Sequence, residues 1–458
     1  MSFSIIQKSQ LEGASRIDAE YYQPDYLELK KRITKLDYIN FGDAMDILTD
    51  YHANGSYEIL KENVRISEES DFALMIRTVD LENDNFDKNV RYVSESAYNF
   101  LKKTQVFGGE IIVNKIGNAG FVYLMPKLGR KVSLGMNQFM IRLKSNFNSN
   151  YFYVFLTCKY GKKIIEQLVS GAVPQSIDKD SVRSIKIPIF SKDLQNEVDG
   201  LINRCNDFKK ETFDLYKQAE RILLEELGLK DYEKIESLSA IINLSEVEDS
   251  KRIDAEYFQA KYKIILEKIQ KNNARKLGDL VSIKKGIEVG AEEYQEEGKI
   301  FIRVSSMTKF GIVESDQKYL NDKLYEKLKK DFEPKKGEIL LTKDATPGIA
   351  YVLKHDIQGI ISGGTLRLKL KDNEVEGEYL ALCLNSFLGQ MQAERDSGGS
   401  VIAHWKPEQI KNVLIPILPK ETQEKISDLI KQSFEARKKS KELLEEAKRK
   451  VEYMIEKK

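Results

Sequence analysis

The sequence predicts an α+β protein made of two tandem copies of one α+β domain, each copy closing in a long helix, and three observations carry that reading. Residues 15–23 read Ser-Arg-Ile-Asp-Ala-Glu-Tyr-Tyr-Gln and residues 251–259 read Lys-Arg-Ile-Asp-Ala-Glu-Tyr-Phe-Gln, an offset of 236 that also relates Phe41-Gly42-Asp43 to Leu277-Gly278-Asp279. Strand-like segments repeat at an offset of 228: Gly109-Glu-Ile-Ile-Val-Asn-Lys115 meets Gly337-Glu-Ile-Leu-Leu-Thr-Lys343, and Arg183-Ser-Ile-Lys-Ile-Pro-Ile189 meets Lys411-Asn-Val-Leu-Ile-Pro-Ile417. Apolar residues after each Ile-Pro-Ile step by four and three. A period this long marks duplicated domains, not a solenoid, and two similar halves suit a ligand that offers two related but unequal sites. At 458 residues the chain has room for about two to four domains, and each half can bury its own core.

In chain order, residues 1–35 form an N-terminal arm and residues 36–190 a first α+β domain. Its strands are expected at 111–113, 121–124 and 139–143, bounded by glycine and proline. A helical stretch from Tyr151 to Leu168 and a glycine-bearing loop follow. Residues 191–235 read as a helix with Ser191 as N-cap. Its seam is Leu194, Val198, Leu201, Cys205, Phe208, Thr212, Leu215, Ala219 and Ile222, the alternation that keeps one stripe facing a partner helix. Residues 236–270 bridge the halves and begin the second copy. A second domain spans 271–418, with strands at 338–341, 349–353 and 365–370 and a helical stretch from Tyr379 to Glu394. The closing helix, 419–458, repeats the stripe more weakly: Thr422, Ile426, Leu429, Ser433, Ala436, Ser440, Leu443, Ala447 and Lys450. Small residues midway (Cys205, Thr212, Ser433, Ser440) let two helices approach closely, so the two helices are expected to pack together. The competing reading is that each covers its own domain.

Lys+Arg and Asp+Glu number 73 and 72, a formal charge of +1. A neutral total neither supports nor excludes nucleic acid, because binding needs a local basic surface and not a basic average. The three cysteines, Cys158, Cys205 and Cys383, form no Cys-x-x-Cys pair and read as free thiols of a reducing compartment. No stretch approaches the roughly 20 apolar residues a membrane span needs, so a cytoplasmic protein without membrane partners is expected.

The ordinary catalytic constellations are missing. There is no Gly-x-Ser-x-Gly, no P-loop, no His-Glu-x-x-His and no (Asn/Asp)-Pro-Pro-(Tyr/Phe), and His52, His355 and His404 stand apart in sequence with no cysteine pair at zinc spacing. One acidic-basic pair, Glu333-Pro334-Lys335, has the form nucleases use to hold a cation and activate water. Its first-half counterpart Gln105-Val106-Phe107 could not do that work, so the pair reads as a solvated turn. No catalytic residue, metal site or cofactor is assigned to the chain.

What the halves share is loops. In the first, Lys115-Ile-Gly-Asn-Ala-Gly120 matches Lys343-Asp-Ala-Thr-Pro-Gly348. In the second, residues 169–179 (Val-Ser-Gly-Ala-Val-Pro-Gln-Ser-Ile-Asp-Lys) match residues 397–407 (Ser-Gly-Gly-Ser-Val-Ile-Ala-His-Trp-Lys-Pro). Flexible glycines let backbone approach a phosphate, and the polar side chains offer donors and acceptors to base edges. The frames persist while the tips change, Gln175-Ser176 to Ala403-His404 and Asn118 to Thr346. The candidate DNA contacts are Lys115, Asn118, Gln175, Ser176 and Lys179 in the first half, and Lys343, Thr346, His404, Trp405 and Lys406 in the second. The bland alternative is ordinary polar turns between strands.

In their doubled order, the Arg-Ile-Asp-Ala-Glu-Tyr openings, the Gly-Glu-Ile strands with their lysine loops, the glycine loops before Ile-Pro, and the heptad helices resemble the specificity (S) subunit of type I restriction-modification systems, over essentially the whole chain. The resemblance implies two target-recognition domains, each reading half of a bipartite, asymmetric DNA sequence. It also implies that the helices form an antiparallel coiled coil, in a pseudo-twofold molecule, whose interface includes Leu194, Val198, Leu201, Phe208, Leu215, Ile222, Ile426, Leu429, Leu443 and Ala447. A helix of about 37 residues spans about 55 Å, comparable to about 16 base pairs, which leaves an uncontacted spacer. Two methyltransferase (M) subunits supplying S-adenosylmethionine chemistry and ATP- and Mg-dependent restriction (R) subunits are implied as partners, and this chain is then non-catalytic. The near-zero charge departs from the family expectation and implies modest DNA affinity for the chain alone. Rival readings are the specificity module of another methylation-based defence system, a metal-dependent nuclease resting on Glu333 and Lys335, and a coiled-coil adaptor that binds only protein.

Overall fold

The computed structural model of the chain describes residues 4–9, 11, 16–87, 89–230, 232, 239–313, 317–398 and 403–457. Ser15 of the first signature, residues 233–238 between the halves and residues 399–402 of the second glycine-bearing loop lie outside the described residues. The chain forms two compact units, Met1–Lys209 with Lys438–Lys458, and Lys210–Arg437.

The first unit is built on an antiparallel sheet of four strands, β1 (Met45–Asp50), β2 (Ile111–Asn114), β3 (Val122–Leu124) and β4 (Gln138–Leu143), in the order β1-β4-β2-β3. The apolar run of β2 is continuous because both faces of the sheet are covered. Ile111 and Val113, with Phe139 and Ile141 of β4, pack under the helices α1 (Ser149–Thr157) and α2 (Lys159–Leu168). Ile112 and Met140 point the other way, onto Leu74, Ile76 and Leu134 of a five-stranded mixed sheet. The second unit repeats the design with β5 (Val281–Lys285), β6 (Ile339–Thr342), β7 (Ala350–Val352) and β8 (Thr365–Leu370), in the order β5-β8-β6-β7. Here Ile339, Leu341, Leu366 and Leu368 face the large core, and Leu340 faces Ile302 and Ile361. The units differ in the covering sheet, which in the second has three strands (Lys318–Leu320, Lys299–Ile302, Gly359–Ile361) beside a separate short hairpin.

Each stretch expected as one helix is two. α1 and α2 are separated at Cys158, and α4 (Gly377–Asn385) and α5 (Phe387–Asp396) at Ser386, both residues being extended with ψ 168°. The break folds the second helix tightly over the end of the first. A Cβ on Gly161 would lie 2.0 Å from the Phe155 carbonyl oxygen, and one on Gly389 2.3 Å from that of Leu384. Glycine is therefore required three residues after each break. The repeated Ile-Pro-Ile segments are tied in alike: the Pro188 carbonyl accepts from the Tyr151 hydroxyl at 2.6 Å, and that of Pro416 from Tyr379 at 2.8 Å.

The long helices are α3 (Lys192–Glu226) and α6 (Lys420–Lys457), each shared between the two units. In the first unit, Cys205 Sγ lies 3.2 Å from Ser440 Oγ, and Glu197 pairs with Lys450 at 2.7 Å. Moving back along α3 moves forward along α6, so the helices run antiparallel. In the second unit, Ser433 Oγ donates to the Thr212 carbonyl at 2.8 Å. Small residues thus meet across the seam, Cys205 with Ser440 and Thr212 with Ser433. Phe310, at the turn of the short hairpin, adds edge-on contacts to Phe213, Tyr216 and Phe434, bracing both helices in that unit.

The expected seam needs one correction. Val198, Leu201, Cys205, Thr212 and Ala219 are buried, but Leu194, Phe208, Leu215 and Ile222 are only half-buried, and Ile202, Tyr216 and Leu223 take the deeper places. On α6, Ile426, Ser433, Ala436, Ser440, Leu443 and Ala447 are buried, while Thr422, Leu429 and Lys450 are half-exposed. The cause is double duty: α3 packs on α6 and also on the domain of each unit, its Ile202 within the first core and its Leu223 within the second. A stripe serving two neighbours is wider than a coiled-coil seam.

Overpacking the seam should therefore be costly. Ser440→Leu, placed against Cys205, is expected to destabilise the chain by about 1–3 kcal/mol, read as a lower urea midpoint at unchanged slope.

Candidate nucleic-acid interface

In each unit the two shared loops are zipped together by main-chain hydrogen bonds. In the first, Ser170 and Ser176 exchange a pair of N–H···O bonds at 2.8 and 2.9 Å, Gly117 N–H donates to Gln175 O (3.2 Å), and Ile177 N–H donates to Lys115 O (3.0 Å). In the second, Gly398 and His404 exchange the same pair at 3.1 and 2.8 Å, Ala345 N–H donates to Ala403 O (3.0 Å), and Trp405 N–H donates to Lys343 O (2.8 Å). Every partner is displaced by 228 residues. The strand ends Lys115 and Lys343 are themselves held, donating their N–H to Asn137 O and Gly364 O at 2.7 and 2.9 Å. The first loop needs a left-handed residue to meet the second: Gly117 (φ 87°) supplies it in one unit and Ala345 (φ 59°) in the other, where the side chain makes that conformation more expensive.

In the first unit Lys115 and Lys179 converge on one carboxylate, each amino group 3.3 Å from Asp50, and both lie over the Phe139 ring. Asn118 is exposed and donates to Glu82 at 2.6 Å. The Gln175 side chain is exposed at the loop edge and Ser176 is half-buried beside it. In the second unit the carboxylate is Asp344, whose oxygens take the Lys343 amino group at 2.5 Å and His404 Nδ1 at 2.8 Å. Burial alone would raise the Asp344 carboxyl, but these two hydrogen bonds outweigh it and hold it below the ordinary carboxylate value. Thr346 and Lys406 are exposed, and the Lys406 backbone N–H is capped by Gln409.

Two expected contacts fall away. Trp405 is only 1 % exposed, within the core of the second unit at the position of the buried Ile177 in the first, so its ring cannot stack on a base. Lys343 is buried with its amino group on Asp344 and serves the loop, not a ligand. Neither Asp50 nor Asp344 carries a sequence signal as a site residue, because a carboxylate does not bind phosphate, although Asp344 sits inside the first shared loop of the second half. The Glu333 carboxylate is taken up by the Tyr325 hydroxyl and the Lys335 amino group, and the Glu333 carbonyl by Arg367.

The sequence matches the family described as type I restriction modification DNA specificity domain twice, over residues 39–200 and 269–449. The chain belongs to this family, whose members are DNA sequence-recognition modules, and the two matches are the two copies read from the internal repeat. No curated protein matches the sequence. Among solved structures, the type I restriction-modification S subunit of M. genitalium aligns over 92% of this chain and 95% of its own at 15% identity and TM-score 0.38. The HsdS subunit of Thermoanaerobacter tengcongensis aligns over 91% and 95% at 13% identity and TM-score 0.27. The assignment rests on the family match.

A carboxyl held low in the folded chain stabilises it above the unfolded value, and that contribution is lost as pH falls through the folded value. Asp344→Asn should cost about 1–2 kcal/mol near neutrality and almost nothing once pH lies below the folded value, in urea titrations across pH. Trp405 is the chain's single tryptophan. Its emission should be blue-shifted and unquenched by added DNA, and Trp405→Ala should cost about 3–5 kcal/mol.

Proposed function

We propose that the chain is a specificity subunit that reads a bipartite, asymmetric DNA sequence, one half-site for each unit, and directs partner enzymes to it. The observation that carries this reading is the pair of identically zipped loops with different tips, Gln175 and Ser176 in one unit against Ala403 and His404 in the other. An identical backbone frame bearing different side chains is what reading two unlike half-sites requires. The base-facing candidates are Asn118, Gln175 and Ser176, and Thr346, His404 and Lys406, with Lys115 and Lys179 as phosphate contacts balanced by Asp50. The recognition domains are taken as 36–190 and 271–418, with arms at 1–35 and 236–270 and coiled-coil helices at 191–235 and 419–458.

On this reading two methyltransferase subunits bring S-adenosylmethionine and restriction subunits bring ATP and Mg chemistry, while this chain contributes no catalytic group and works in the cytoplasm. Among the described residues no helix is long and apolar enough to cross a membrane. The module of another methylation-based system would use the same recognition surface and differ only in its partners.

Co-expression with the neighbouring methyltransferase and genome-wide mapping of methylated bases tests the reading. Gln175→Ala with Ser176→Ala should relax one half of the motif only, by about 1–3 kcal/mol for each lost base contact. Equal relaxation of both halves would refute the assignment of one unit to one half-site.

A further inference from the structure

The nine-residue signature that reveals the duplication lies outside both zipped loops, yet it builds the same contact twice. Arg16 forms a two-pronged fork on Asp18, at 2.8 and 2.7 Å, its guanidinium 4.8 Å from the centre of the Tyr21 ring. Arg252 forks on Asp254 at 2.5 and 2.6 Å, and lies 4.9 Å from Tyr257. In both, the remaining guanidinium nitrogen donates at 3.3 Å to a carbonyl more than 140 residues away: Leu168 for Arg16 and Asp396 for Arg252. Those are the last residues of α2 and α5, and the first zipped residues, Ser170 and Gly398, stand two positions beyond.

A helix that ends in a left-handed glycine has the direction of the following chain set locally. These two helices do not: Val169 (φ −67°, ψ 142°) and Ser397 (φ −68°, ψ 140°) leave in extended conformation. Their terminal carbonyls are among those a helix leaves without an intrahelical partner, at the end that favours a cation, and that of Asp396 also accepts from the Gln409 side chain at 2.6 Å. The arm supplies that cation, already oriented by its own aspartate and tyrosine.

We propose that Arg16 and Arg252 are positioning residues for sequence reading: each sets the angle at which the second loop leaves its helix, and through it the placement of the tip residues on one half-site. The proposal rests on the specificity-subunit reading above. Its test is the methylated motif written by the full chain with its partner methyltransferase. Arg16→Ala should lower discrimination about tenfold at bases of the first unit's half-site alone, and Arg252→Ala at the other half alone, with thermal midpoints close to that of the parent chain. Arg16→Lys, which keeps the charge but cannot form the fork, should behave like Arg16→Ala. Should either alanine chain fail to fold, Asp18→Asn and Asp254→Asn loosen the fork more gently and should give the same one-sided relaxation. A motif unchanged by these variants, degeneracy in both halves at once, or full rescue by Arg16→Lys would overturn the proposal while leaving the wider reading intact. Absence of any bipartite motif from the unaltered chain would overturn both.

Discussion

The candidate interface depends on a main-chain zipper. In each unit, two N–H···O bonds fasten the loop after one central strand to the loop after the second covering helix, two more close that second loop on itself, and none of the bonded atoms belongs to a side chain. Backbone hydrogen bonds are obligatory but indifferent to residue identity. The frame therefore survives when Gln175 and Ser176 give way to Ala403 and His404, or when Ile177 gives way to Trp405. A scaffold held this way can change what it reads without changing how it folds.

The helices α3 and α6 carry a different burden. Each unit completes its core with a stretch of both, so the same residues serve the domain and the helix pair. Small side chains at Cys205, Thr212, Ser433 and Ser440 admit close approach, and larger ones at Ile202, Tyr216 and Leu223 reach into the domains. Buried hydrogen bonds from Ser433 and between Cys205 and Ser440 keep these polar atoms satisfied where water is excluded.

Charge at the interface is more balanced than a list of lysines implies. Asp50 holds two of them and Asp344 holds a lysine and a histidine. A cation fixed by a carboxylate keeps its place at a known position but gives up part of its attraction for phosphate.

The sequence by itself determined the duplication, three of the four strands of each central sheet, the two long helices and the frames of the loops, because these follow from short-range patterns: apolar runs, heptad steps, glycines at turns and segments repeated at fixed offsets. Side-chain exposure and partnership were decided by the tertiary structure. Trp405 reads as a polar-loop aromatic until the zipper turns it into the core. The helix seam widens to take in Ile202, Tyr216 and Leu223 once α3 has two neighbours to cover, and a helix break at Cys158 and Ser386 appears only when the second helix must fold back over the first. The role of Arg16 and Arg252 was invisible for the same reason. Their target is a carbonyl in the distant part of the same unit, and no local pattern records a contact made across that separation.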